Sequence, residues 1–189
     1  MDTFDLHRMA EQAARSRPED LLDRTIIGVL RHAQEGELPL FAWTLGLTQT
    51  AYRQMLAQRF PELGALTPIP EAQYLALLQA VPADFYPLRN MLMTHRSVTA
   101  DKQQADWLAR ALAIACQGGR HLWQDLGLQG RDEVSRLLQD YFAPLAERNI
   151  HHLKWKKWIY QELGHHLGQK NLQAPQCRRC PDYSICFPQ

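Results

Sequence analysis

The chain predicts an all-α fold: a compact multi-helix domain with an irregular cysteine-rich metal-binding tail at its C-terminal end. Apolar residues recur near a 3.6-residue period in segment after segment. No run of alternating β-branched residues reads as a strand. After Gly168 the periodicity dissolves into QKNLQAPQCRRCPDYSICFPQ, which carries three prolines and cannot bury much by itself. The expected division is therefore a helical domain over 1–168 and a cluster-binding tail over 169–189, packed on that domain and ordered by what its cysteines bind.

The helices follow in order. Asp20–Gln34 carries Leu21, Leu22, Ile26, Val29, Leu30 and Ala33 near the helical period, and Gly36 and Pro39 close it. Thr48 is placed to cap a helix through Phe60, with Tyr52, Met55, Leu56 and Phe60 on one face. Glu71–Ala80 is a short helix between Pro70 and Pro82. Ala83–His95 is another, with Pro87 tolerable only in its first turn. In TADKQQADWLARALAIACQGG the expected N-cap is Thr99, the buried stripe is Trp107, Leu108, Ala111, Leu112, Ala115 and Cys116, and the stop is Gly118-Gly119. HLWQDLG reads as a short turn of helix, Arg131–Phe142 as the next helix, and Leu153–Leu167 as the last, with Trp155, Trp158, Ile159 and Leu163 on one face.

Size and composition narrow the function classes. A chain of 189 residues buries roughly 70% of its unfolded surface, so it needs no staples to fold. The net charge of +1 gives no global basic field for nucleic acid. The first residues lack the apolar core of a signal peptide, and no apolar run approaches the ~18 residues of a membrane span. A cytoplasmic protein without membrane or nucleic-acid partners is expected, and cytosolic thiols stay reduced. The charge is nonetheless uneven. Residues 150–189 hold six cations (Lys154, Lys156, Lys157, Lys170, Arg178, Arg179) against Glu162 and Asp182, which makes +4 there and −3 elsewhere. That excess is either a solvated face or the neutralising ground for a bound anion.

The chemistry concentrates in CRRCPDYSIC. Cys177 and Cys180, two residues apart, can turn both sulfurs toward one centre, and Cys186 can reach a neighbouring corner. Iron–sulfur clusters are held by closely spaced cysteines, often with a proline after one of them, here Pro181. Arg178 and Arg179 supply charge and N–H groups beside the thiolates. Two other readings stay open: reduced thiols without a ligand, and a structural zinc site completed by Cys116, His165 or His166. Cys116, at the end of an apolar stripe, is either a small core residue or a distant fourth ligand.

Three stretches together carry a family resemblance: WLARALAIACQGGRHLWQDLGL (Trp107–Leu128), LAERNIHHLKWKKWIYQELG (Leu145–Gly164) and the cysteine tail. In content, order and spacing they closely resemble the NifQ family of nitrogen-fixation proteins, and weaker likeness reaches upstream to about Asp23. The resemblance implies a molybdenum donor for the nitrogenase iron–molybdenum cofactor, carrying an iron–sulfur cluster that incorporates molybdenum, with three irons, four sulfides and one molybdenum. It implies as partners the nitrogenase iron protein and the cofactor-assembly scaffold complex, with molybdate or a molybdenum-supplying protein upstream. The family pattern places a cysteine five positions before C-x2-C-x5-C. This chain has Leu172 there, so only Cys177, Cys180 and Cys186 carry over. Three thiolates can serve the three iron corners one each, which leaves molybdenum to more labile ligands, as a protein that must release it requires.

Among the histidines, His121 is the first choice for molybdenum, with Asp125 one helical turn on to orient its ring. His151-His152 and His165-His166 are adjacent pairs whose members point apart, and His166 is expected to pack on the apolar side near Leu163. Trp155 and Trp158 fit a core stripe and Lys154, Lys156 and Lys157 its rim, better than a nucleic-acid platform. The lysines remain candidates for docking an acidic partner or steering molybdate inward. No GxGxxG, P-loop or nucleophile elbow is present, so no catalytic residue is assigned and a carrier rather than an enzyme is expected. The alternatives are a zinc-stabilised helical interaction module and, with less support, an iron–sulfur nuclease-associated protein. The latter would share the C-x2-C-x5-C clasp, but the chain offers no E-x-K on a strand to hold magnesium.

Overall fold

Asp20 accepts the backbone N–H groups of Leu22 and Asp23 at 3.0 and 3.3 Å, and this cap opens α1 (Leu21–Gln34). In the computed structural model residues 20–61 and 69–188 are described; the N-terminal stretch read above for a signal peptide lies outside them. A 3₁₀ turn (Leu40–Thr44) leads to α2 (Gln49–Arg59), capped by Thr48, and then come α3 (Glu71–Gln79) and α4 (Phe85–Thr94). The second half holds α5 (Lys102–Ala115), α6 (Leu122–Asp125), α7 (Arg131–Glu147) and α8 (Trp155–Leu167). The tail adds a 3₁₀ turn (Cys177–Arg179) and one turn of helix, α9 (Tyr183–Cys186). Among the described residues there is no strand, and no helix is long and apolar enough to cross a membrane.

α5 is the axis of the fold. Its residues from Trp107 to Ala115 are buried except Arg110, and five of its positions are alanine, small enough to let neighbouring backbones close in. α1 and α4 pack against α5, and α8 packs against α4. Phe85 at the head of α4 meets Phe41 edge-on at 5.4 Å. Each such apolar side chain contributes about 1.5–3 kcal/mol by leaving water, which is why the body needs no ligand to cohere.

Several expected boundaries move by a residue or more, and two of the shifts have a clear cause. α5 starts at Lys102, not after Thr99, because the carboxylate of Asp101 accepts the Gln104 N–H at 2.8 Å and is the stronger cap. α7 runs five residues past Phe142, but Phe142 itself leaves helical geometry (φ −138°, ψ 47°) ahead of Pro144. The kink frees one carbonyl and one N–H, and Ser97 takes both. Its N–H donates to the Tyr141 carbonyl at 2.9 Å, and its Oγ accepts the Ala143 N–H at 2.9 Å.

The end of α8 directs the tail. Gly168 adopts a left-handed φ of +67°, and the Gln169 N–H closes on the Gly164 carbonyl at 2.8 Å. Leu172 then lands, half-buried, over Gly164, and Ala174 is buried. His165 and His166 are both exposed, which corrects the packed position expected for His166. The last turn of α8, after Gly164, simply runs past the core.

Candidate metal centre

The C-x2-C spacing becomes a turn. Cys177 N–H donates to the Ala174 carbonyl and Cys180 N–H to the Cys177 carbonyl, each at 3.0 Å, so one tight turn carries both thiols. Cys186 ends α9, where its N–H reaches the Asp182 carbonyl at 3.0 Å. All three cysteines are free and half-buried, and all three line one cavity of about 370 Å³. Their sulfurs do not all lie within 4.8 Å of one another; among the described residues the group that does is His32, Glu35 and Glu37.

The helical body supplies the rest of the wall. The α5–α6 connection brings Gly118, Arg120 and His121, α6 brings Trp123, α7 brings Arg131 and Val134, and the start of α8 brings Lys154 to Lys157. Five cations thus face the cavity (Arg120, Arg131, Lys154, Lys156, Lys157) against the one lining carboxylate of Asp182. Of the six C-terminal cations, Lys154, Lys156 and Lys157 line the cavity, whereas Lys170, Arg178 and Arg179 are exposed and do not.

Asp125 is the buried anchor of this wall. Its carboxylate receives Arg120 Nε at 3.0 Å and Lys156 Nζ at 3.1 Å. Lys156 also donates to the carbonyls of Gly118 at 3.1 Å and Arg120 at 2.7 Å, so its three protons all find acceptors. A Cβ on Gly118 would sit 2.3 Å from Asp125 Oδ2. That close approach explains this glycine better than a helix stop does, since Cys116 already closes α5 with right-handed geometry. Asp125 thus serves Arg120 and Lys156, not His121 as expected from their spacing.

His121 faces Asp182 instead, Nε2 to Oδ2 at 3.6 Å, and its ring lies parallel to that of Trp123 with centroids 6.5 Å apart. Burial, then the charges of Lys154, Lys156 and Arg131, pull its pKa below the ordinary 6.5. The imidazole is neutral at physiological pH, the form in which a histidine binds a metal. Burial holds the Cys177 thiol above its usual range, against the lowering pull of its backbone contact at Ala174 and of Lys156.

Cys116 sits apart. It is fully buried at the end of α5 and does not line the cavity. Burial pushes its thiol up to about 12 against the lowering pull of Lys156, and Cys177 adds to the upward push. The structure therefore brings Cys177, Cys180, Cys186 and His121 to one cavity and leaves Cys116 in the apolar core. Leu172, where the family pattern has a cysteine, packs over α8 and does not line the cavity.

The tail is tied down by polar contacts. Lys154 pairs with Asp182, Lys157 donates to the Cys186 carbonyl, and Lys157 Nζ stands 5.0 Å from the centre of the Phe187 ring. Sequence reasoning missed Arg120, Arg131 and Asp182 as wall residues. Nothing in their local pattern marks them, because the cavity is assembled from four separate segments.

A family model described as NifQ matches residues 25–188. Protein NifQ of Azotobacter vinelandii is 34% identical to the chain over 167 residues, which cover 84% of each. The Protein NifQ homolog of Sinorhizobium fredii (strain NBRC 101917 / NGR234) is 31% identical over 146 residues, 75% of this chain and 60% of that protein. Protein NifQ of Klebsiella pneumoniae is 37% identical over 87 residues, 46% of this chain and 52% of that protein. No solved structure matches.

Proposed function

The chain belongs to the NifQ family of nitrogen-fixation proteins, and from that premise we propose that it carries a molybdenum–iron–sulfur cluster and donates the molybdenum for synthesis of the nitrogenase iron–molybdenum cofactor. The observation that carries this reading is the convergence of Cys177, Cys180 and Cys186 on one cation-lined cavity. A cluster of three irons, four sulfides and one molybdenum, held by three thiolates, is an anion, and five cations offset its charge.

The spacing of the sulfurs favours a cluster over a single zinc. Tetrahedral zinc at ~2.3 Å from each sulfur needs thiolates about 3.8 Å apart. Here at least one pair of the three sulfurs is more than 4.8 Å apart. A cube takes its thiolates at separate outer corners and needs that wider spread.

In this reading Cys177, Cys180 and Cys186 hold one iron each. The neutral ring of His121 offers the molybdenum corner a single nitrogen donor, and Cys116 stays in the core. A corner without a thiolate is the one that can be surrendered. The recipients are the nitrogenase iron protein and the cofactor-assembly scaffold, molybdate or a molybdenum-supplying protein stands upstream, and the work is done in the cytoplasm without turnover of a substrate.

Anaerobic purification with iron, molybdenum and zinc analysis tests the reading. A brown protein with iron and molybdenum in a ratio near three to one supports it. A colourless protein with one zinc and neither iron nor molybdenum refutes it. Replacing Cys177, Cys180 or Cys186 singly with Ala should remove iron, whereas Cys116→Ala should keep it. His121→Ala should lower molybdenum and leave iron near normal.

A further inference from the structure

The fold sorts the six C-terminal cations into two sets. Lys154, Lys156 and Lys157 line the cavity and are engaged by Asp182, by Asp125 and by the Cys186 carbonyl. Lys170, Arg178 and Arg179 are exposed, and their side chains have no ion pair or hydrogen bond among the described residues. Arg178 and Arg179 are the two residues between Cys177 and Cys180. One turn therefore lines the cavity with its thiols and leaves its guanidinium groups outside.

Nothing else on the tail neutralises them. Residues 163–188 contain one carboxylate, Asp182, and it is half-buried and turned to Lys154 and His121. Apolar surface is exposed in the same place. The turn that carries Arg178 and Arg179 packs on α9, where Ile185 is 70% exposed. Arginine is enriched at protein interfaces and among the residues that dominate their binding energy, and the fully covered centre of an interface is apolar.

We propose that the exposed side of the tail, centred on Arg178, Arg179 and Ile185 with Lys170 at its edge, is the docking surface for an acidic protein partner. The number and kind of groups select that occupant. A nucleic acid is held by about six to ten phosphate contacts, and here three cations stand on a chain whose remaining residues carry −3. A membrane surface calls for about four to eight clustered cations or a long amphipathic helix, and α9 is one turn. Carboxylates of a protein face can pair bidentately with both guanidinium groups while an apolar side chain covers Ile185. A contact this small gives a transient, salt-sensitive complex. Its place has a consequence, because a partner that holds Arg178 and Arg179 rests on the turn that bears two of the three thiols. The docking surface rests on the exposed, unpaired cations alone; that its partner takes the molybdenum rests on the carrier reading above.

The test is anaerobic interferometry of the full-length chain over immobilised nitrogenase iron protein and, separately, the cofactor-assembly scaffold complex. Saturable binding to at least one of them is expected, with association slowed by added salt. Reversing both charges (Arg178→Glu with Arg179→Glu) should weaken it about tenfold or more, chiefly in the association rate. Lys170→Glu and Ile185→Ser leave the 177–180 turn untouched and should each weaken it about threefold, the second in the dissociation rate. The control pair Arg53→Glu with Lys102→Glu, exposed cations of α2 and α5, should bind as the parent does. The proposal is overturned if neither protein binds, if the tail variants bind like the parent, or if the control pair weakens binding equally. It is also overturned if the same arginines hold a single-stranded oligonucleotide, a phosphatidylserine vesicle or a second copy of this chain more tightly than either protein. A chain that carries iron and molybdenum but docks independently of these residues sinks the surface and spares the carrier reading. A chain that docks through them and never holds either metal does the reverse.

Discussion

The helical body and the cysteine tail are held in place by different forces. In the body whole helices are immersed: nine consecutive residues of α5 include only one that is not buried. In the tail beyond Gly168 Ala174 is the buried residue, and its position is fixed by Lys154, Lys157 and a few backbone turns. The body therefore coheres by apolar burial, and the tail is a flap held largely by charged and backbone contacts. The proposed carrier role would use that division, because releasing the tail costs little apolar burial.

The largest expected effect lies in the body. Phe85→Ala removes a fully buried ring packed on Phe41 and should cost about 3–5 kcal/mol, read as a lower midpoint in urea. If instead it lowered cluster loading with an unchanged midpoint, the body would not cohere by apolar burial as described.

Asp125→Ala should follow, at about 3 kcal/mol. It strips a fully buried carboxylate from Arg120 and Lys156, and breaking one side of a buried pair is expensive. Here body and site meet, so this change should lower both thermal stability and metal content. Gly118→Ala should act in the same direction, because its Cβ would press on that carboxylate.

What could be read from the sequence divides along the same line. The period of Trp107, Leu108, Ala111, Leu112 and Ala115 is local, so α5 was legible, as were the cap at Thr48 and the thiols of CRRCPDYSIC. Thr99 and Asp101 compete for one helix start, and only the geometry of the Gln104 N–H decides between them. Spacing places Asp125 beside His121 on a helix, yet two cations from other segments claim its carboxylate first. His166 shares a period with Leu163, but the core ends before it does. The rest of the cavity wall was invisible because Arg120, Arg131 and Asp182 join Lys154 only after folding.

A smaller effect concerns a charge within the body. Glu133 on α7 accepts Arg24 of α1 through Oε1 at 2.5 Å and the Gln129 N–H through Oε2 at 2.8 Å. Burial raises its pKa, but the Gln129 N–H and Arg24 together outweigh burial and bring it below the ordinary 4.5. A carboxylate depressed in the folded state binds fewer protons there than in the unfolded chain. Its contribution is thus present above about pH 4.5 and is lost as pH falls through the lowered value. Glu133→Gln should cost on the order of 1 kcal/mol at neutral pH and nothing in strong acid, so the two stability–pH curves should converge below pH 4.5. Parallel curves would show that the α1–α7 tie does not depend on this charge.

The smallest expected effect on stability is the sharpest test of the comparison. Asp182→Asn removes the carboxylate that pairs with Lys154 and faces His121, and all three groups are partly exposed. Pairs of this kind contribute between zero and about 1 kcal/mol, so the melting of the body should barely move. The flap, however, has few other ties. Amide exchange across residues 176–187 should quicken while that of α5 stays as slow as in the parent. Metal should be lost faster to a chelator, because the loop between Cys180 and Cys186 carries the released residue. If α5 and the tail quickened together, the tail would be a cooperative part of the core and release of a cargo would require partial unfolding of the body. If neither quickened, Lys157 and the thiol-bearing turns would hold the flap alone, and Lys157→Gln becomes the variant that should open it.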